Sequence, residues 1–167
     1  EAPFFVYLPH VMPHVPIHVS ETFRGRSARG LYGDVVEELD ASVGDVLKTL
    51  RDLDLERNTI VIFLSDNGPF LSYGTHAGSA GPLREGKLTS FEGGVRVPCF
   101  IRGPGVPAGI SRNPAAAMDL LPTLARIAGA ALPERRVDGI DLGSDFRGAR
   151  ETFFVYAGEE LQAVRHG

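Results

Sequence analysis

The most regular pattern of apolar positions in the chain runs from Asp34 to about Leu53, where Val35, Val36, Leu39, Val43, Val46, Leu47, Leu50 and Leu53 recur in steps close to three and four. That spacing is the period of an amphipathic α-helix and predicts one over this stretch. Asp34 is placed to cap it, and Glu37, Glu38 and Asp40 lie near its positive end. Two continuous apolar runs flank the helix. Phe4 to Leu8, bounded by prolines, reads as a buried strand. Thr59 to Leu64, β-branched and aromatic, reads as the strongest strand of the chain. Strand, helix and strand with short connections predict a βαβ unit, and so an α/β fold with a parallel sheet covered by helices.

Beyond this unit, Asp66 to Gly94 is a long glycine-rich loop whose Phe, Leu and charged residues point to an ordered, functional segment. A third strand is expected at Val97–Ile101, with Pro98 marking an edge or a strand start. A second helix is expected over Met118–Gly129, with Pro122 in its first turn and Gly129 ending it.

Composition narrows the class. The 167 residues are 43% hydrophobic and 23% charged, as in a globular protein with a core. The net charge of −4 argues against a nucleic-acid partner, and no apolar run approaches the roughly 20 residues that span a bilayer. The single cysteine, Cys99, has no internal partner and reads as a core residue of the third strand. The chain opens almost at once on an apolar run and closes soon after another, Thr152 to Tyr156. The expectation is a piece cut from a larger domain.

Three local patterns could carry chemistry. Asp66-Asn67-Gly68 follows the strongest strand, where the carboxyl ends of strands in open α/β sheets face ligands. A carboxylate beside an amide oxygen suits Ca²⁺ or Mg²⁺, although the tripeptide alone reads more readily as a turn. His10 and His14 lie in a Pro-rich loop after the first strand and could bind an anion or protonate a leaving group, or simply be surface histidines. Lys87, in a glycine-bearing turn, could donate to an oxyanion, though it lacks the spacing of a phosphate-cradling loop and a lone loop lysine is usually solvated. Arg96 could brace the loop or touch a ligand.

Taken in order, these blocks resemble the second half of the sulfatase catalytic domain: Phe4 to Pro16, the helix with Glu38-Leu39-Asp40, Ser65-Asp66-Asn67-Gly68-Pro69, and Gly86-Lys87 through Phe91-Glu92-Gly93-Gly94-Val95-Arg96 to Pro98. The resemblance spans residues 3 to about 145 and reappears at Leu161 to Gly167. It implies an alkaline-phosphatase-like α/β fold, present only in part, with residues 1–167 forming a partial catalytic domain. It also implies a sulfuric ester hydrolase working through a formylglycine made from the Cys of a Cys-x-Pro-x-Arg motif. The family's metal pair maps onto Asp66 and Asn67, and its sulfate-contacting Lys and His map onto Lys87 and His14. The cofactor implied is Ca²⁺ rather than Mg²⁺. The substrate implied is a sulfate-ester small molecule or a sulfated glycan, in a periplasmic or secreted setting, or a lysosomal one in a eukaryote.

The nucleophile motif and the other acidic metal ligands are not in this sequence, and Cys99 has no Arg at the required spacing. The isolated chain is therefore expected to be inactive and to bind Ca²⁺ weakly. The alternatives are a phosphodiesterase or phosphonate hydrolase of the same superfamily, or an inactive truncated or degenerate homologue. His10, His18 and His76 receive no role.

Overall fold

A computed structural model describes residues 2–167. The expected first helix forms as α1, Gly30–Asp52, starting four residues ahead of Asp34. Asp34 is thus not its cap. It lies within the helix, 3% exposed, and its carboxylate reaches back to accept the N–H groups of Gly25 (2.8 Å) and Ser27 (2.7 Å). Those charge-assisted bonds hold its pKa below the ordinary Asp value, the Ser27 N–H contributing most and the Gly25 N–H next. One helical carboxylate therefore fastens the basic, glycine-punctuated loop in front of the helix.

The Pro- and His-rich loop before it docks on the same helix. His10 Nε2 lies 3.0 Å from Ser42 Oγ, the Ser20 N–H donates to Glu38 Oε2 at 3.0 Å, and Ile17 is buried. After α1 come β1, Val61–Leu64, then α2, Glu92–Val95, and β2, Cys99–Arg102. β1 and β2 pair antiparallel, with Val61 opposite Arg102 and Leu64 opposite Cys99. Pro98 stands just ahead of β2, as its missing N–H requires.

Two sequence expectations fail here. Phe4–Leu8 forms no strand, and each of its side chains is more than half exposed. The parallel partner of β1 in the βαβ unit is thus not made within the described residues. An apolar run records a preference for burial, but a strand also needs a hydrogen-bonding neighbour. Cys99 is exposed, not core, although partial desolvation raises its thiol pKa.

The second helix, α3, spans Leu120–Ala128 after a 3₁₀ turn at Ala117–Asp119, and Gly129 ends it in the left-handed conformation at φ 67°. A hairpin of β3, Thr152–Ala157, and β4, Glu160–His166, closes the chain.

Few side chains are fully buried. The buried apolar set is Ile17, Val35, Leu50, Leu142 and Phe146, whereas Phe5, Val6, Tyr7, Phe100, Phe154 and Val164 are among the many exposed. The accessible surface is 12129 Å², where a compact 18.0 kDa chain exposes about 8000 Å². Large apolar side chains contribute to that exposed surface.

Candidate functional site

The site is built where β1 ends. Ser65 extends the ladder, its N–H donating to the Pro98 carbonyl at 3.4 Å, and its hydroxyl donates to the Asn67 carbonyl at 3.0 Å. Asp66, next in line, is exposed. The Asn67 side chain donates Nδ2 to the Gly68 carbonyl at 2.9 Å. Since a carbonyl only accepts, the amide nitrogen is the atom engaged in this bond, and Oδ1 is left outside it. The turn therefore presents a carboxylate and an amide oxygen, both hard donors.

Two backbone hydrogen bonds clamp this turn against the segment bearing Lys87. The Gly68 N–H donates to Gly94 O at 3.0 Å, and the Lys87 N–H donates to Pro69 O at 2.9 Å. The approach is closer than any side chain allows. A Cβ on Gly68 would lie 1.8 Å from the Gly93 carbonyl oxygen, one on Gly86 2.3 Å from Pro69 O, and one on Gly93 2.1 Å from Glu85 O. The glycines of this loop are the condition for packing it.

Lys87 itself sits between two strained residues. Glu85 (φ 63°) and Leu88 (φ 72°) both occupy the left-handed region, which costs a non-glycine residue about 1–2 kcal/mol. Surrounding bonds hold them there: Gly86 O accepts the N–H of Thr89 at 3.2 Å and its hydroxyl at 2.8 Å, and Gly93 N–H donates to Arg84 O at 2.8 Å. The Lys87 ammonium lies 5.7 Å from the centre of the Phe70 ring and, among the described residues, has no carboxylate partner. Arg96 takes the bracing role, pairing with Glu92 at 3.3 Å.

His14 is exposed, and its Nδ1 lies 2.7 Å from its neighbour's carbonyl, Val15 O. That bond requires the proton on Nδ1 and leaves Nε2 open. No hydrogen bond among the described residues joins His14 to the Asp66 or Lys87 segments; its loop is tied to α1 instead. The structure thus ties the Asp66–Asn67 turn to the Lys87 segment through backbone hydrogen bonds, and among the described residues no such bond brings His14 to either. His10 and His18 also sit against α1, lining a groove of about 440 Å³ with Glu38 and Ser42, while His76 stands exposed at the end of the 3₁₀ turn Leu71–His76.

A divalent cation would meet two oxygen donors here. Calcium takes about six to eight, and among the described residues no cluster of three His, Cys, Asp or Glu is placed to hold a metal. The donor chemistry fits a hard cation, and the number fits part of its shell.

Sequence reading missed Glu85 and Leu88, because nothing in a one-letter code announces a left-handed non-glycine residue. It also missed Phe70 as the surface beneath Lys87. The crowding of glycines between Gly68 and Gly94 is the available signal of this close packing.

The family model described as Sulfatase matches residues 1–130. Arylsulfatase A of Bos taurus is 43% identical over 169 residues, covering 97% of this chain and 33% of that protein. N-acetylgalactosamine-6-sulfatase of Canis lupus familiaris is 44% identical over 174 residues, covering 100% of this chain and 33% of that one. Among solved structures, the PsFucS1 sulfatase from Pseudoalteromonas sp. superposes with a TM-score of 0.83 at 28% identity, covering 92% of this chain and 32% of its own. The chain spans about a third of the length of the relatives it matches.

Proposed function

The chain belongs to the sulfatase family, and on that premise we propose that it forms part of the active site of a sulfuric ester hydrolase whose remaining residues lie outside these 167. The alkaline-phosphatase-like α/β fold is shared with its solved relatives and present here in part. The observation that carries the proposal is the pair of backbone hydrogen bonds, Gly68 to Gly94 and Lys87 to Pro69, which ties the turn bearing Asp66 and Asn67 to the segment bearing Lys87, whose ammonium has no carboxylate partner among the described residues. The uncovered apolar surface supports the partial-domain reading of residues 1–167.

Asp66 and the Asn67 Oδ1 would hold a divalent cation, both being the hard oxygen donors such an ion takes, with Ca²⁺ preferred to Mg²⁺ as the likeness to the family implies. When bound, such an ion polarises the sulfuryl oxygens and favours ionisation of an attacking hydroxyl. Lys87 supplies a fixed positive charge to the same oxygens, where charge builds as the sulfuryl group transfers. His14, with Nδ1 held by Val15 O, offers Nε2 to the sulfate or the leaving oxygen once that loop is brought to the site. The nucleophile, a formylglycine hydrate, comes from outside the chain.

The substrate class is a sulfate ester, either small molecule or glycan; the relatives' names cover both an aryl and an N-acetylgalactosamine 6-sulfate ester. No helix among the described residues is long and apolar enough to cross a membrane. A periplasmic, secreted or lysosomal setting is part of the same proposal.

The test uses the full-length protein containing this chain, with its formylglycine content measured by mass spectrometry. Hydrolysis of an aryl sulfate in preference to the matching phosphate is expected, with Lys87→Met lowering kcat about a hundredfold or more. A formylglycine-bearing protein that cleaves no sulfate ester would overturn the reading, as would full activity from the 167-residue chain alone.

A further inference from the structure

The loop leaving the Asp66–Asn67 turn carries a feature the sulfate chemistry does not use. Phe70 takes the Lys87 ammonium on its ring at 5.7 Å, and Tyr73 packs edge-on against Phe70, with centroids 4.8 Å apart and planes at 68°. Phe70 is half-buried, whereas Tyr73 is 50% exposed. An aromatic ring thus stands open to solvent one ring away from the ammonium.

The loop holds that ring in place. The Tyr73 N–H donates to Phe70 O at 3.1 Å, and the Ala77 N–H donates to Gly74 O at 3.0 Å. Gly74, at φ 55° and ψ −118°, takes a conformation open only to glycine and turns the chain directly after Tyr73. At the far end Gly78 lies against Tyr32 of α1, so closely that a Cβ would sit 2.4 Å from the Tyr32 hydroxyl, whose pKa burial raises. Between these anchors the residues Leu71 to His76 are exposed. Tyr73 is therefore fixed without being covered.

We propose that Tyr73 is the specificity-determining residue of the leaving-group side of this site, offering its ring face to the flat face of a six-membered ring that carries the sulfate. The inference rests on the sulfatase reading of Lys87. A sulfuryl group held by Lys87 carries its ester oxygen and carbon skeleton out over the surrounding segments, whose exposed large apolar side chains include Leu71, Tyr73, Leu88 and Phe91; of these, Tyr73 is the ring that packs on Phe70, the ring beneath the ammonium. A planar π face stacks on an aryl ring, and the same face takes the axial C–H groups of a pyranose; an acyclic alkyl chain gains little from either.

The experiment measures KM and kcat of the full-length protein on three sulfate esters: an aryl sulfate, a hexosamine 6-sulfate and an acyclic alkyl sulfate. Tyr73→Ala is expected to raise KM roughly three- to tenfold on a ring substrate, with kcat and the alkyl ester unchanged, and Tyr73→Phe to retain the wild-type KM. A rise confined to the aryl or to the sugar ester identifies which ring the face receives. Equal KM shifts on all three esters, or none, would overturn the proposal while leaving the sulfatase reading standing. Wild-type protein inactive on every ester would bring down both. The thermal midpoint of Tyr73→Ala should stay near wild type, because a half-exposed side chain contributes little packing.

Discussion

Arg150 turns its guanidinium onto the wholly buried carboxylate of Asp119, Nε meeting Oδ2 at 3.2 Å and Nη2 meeting Oδ1. The same carboxylate accepts the N–H groups of Ala116 at 2.8 Å and Ile140 at 2.9 Å, and Arg150 Nη2 also donates to Asp138 O at 2.8 Å. Both oxygens of a charge removed from water are thus engaged twice. The pair ties the start of α3 to residues 138–150 and so to the hairpin that follows.

Breaking that pair leaves an uncompensated buried charge. Arg150→Ala should destabilise the fold by about 3–5 kcal/mol, read as a shift in the urea midpoint. Arg150→Met combined with Asp119→Asn should recover part of the loss, since the partners are coupled. Equal losses for the single and double variants would contradict the pairing.

Acid should weaken the protein in a defined direction. Burial works to raise the Asp119 pKa, but the Arg150 hydrogen bond and the Ile140 and Ala116 N–H groups outweigh it, so the carboxyl sits below its ordinary value, as does that of Asp34. A lowered folded-state pKa means the unfolded chain binds protons more readily. The stabilisation is therefore complete above the ordinary Asp value of about 3.9 and is lost as pH falls through the lower folded values. Urea midpoints followed from neutral pH downward should drop across this window, and Asp34→Asn should flatten the slope.

The glycine contact between the two site segments admits no methyl group. Gly68→Ala, whose Cβ would lie 1.8 Å from the Gly93 carbonyl oxygen, should cost about 2 kcal/mol or more and separate Asp66 and Asn67 from Lys87. Gly44 is the control: it lies within α1, and a methyl group there would meet nothing within 4 Å. Gly44→Ala should stabilise by about 0.5–1 kcal/mol. Thermal melts of both variants check the pair.

Two oxygen donors make a weak calcium site. Titration calorimetry of Ca²⁺ into the 167-residue chain should show a Kd no tighter than about 1 mM, unchanged by Lys87→Met and weakened further by Asp66→Asn. Micromolar binding by the chain alone would mean that its own residues complete the shell.

Local order carried most of what the sequence makes legible. Val35, Leu39, Val43, Val46 and Leu50 place α1 through their spacing, and Gly129 marks the end of α3 because a left-handed residue there favours glycine. Asp66, Asn67 and Lys87 stand out as candidates because the blocks that carry them are contiguous. Phe4–Leu8 misleads because hydrophobicity is local, whereas a strand's partner can lie anywhere in the chain or beyond it.

The sequence by itself determined α1, α3, the β1 and β2 runs and the family, and it offered Asp66, Asn67 and Lys87 as candidates, since each of these rests on residues close to one another along the chain. Tertiary structure alone decided that Asp34 fastens a loop instead of capping a helix, that Cys99 faces outward, and that Gly68 meets Gly93 while Pro69 meets Lys87. It also decided that the loop bearing His14 is fastened to α1, through His10 and Ser20. Those outcomes depend on which distant backbone atoms come within hydrogen-bonding and van der Waals range, and no periodicity along the chain encodes that.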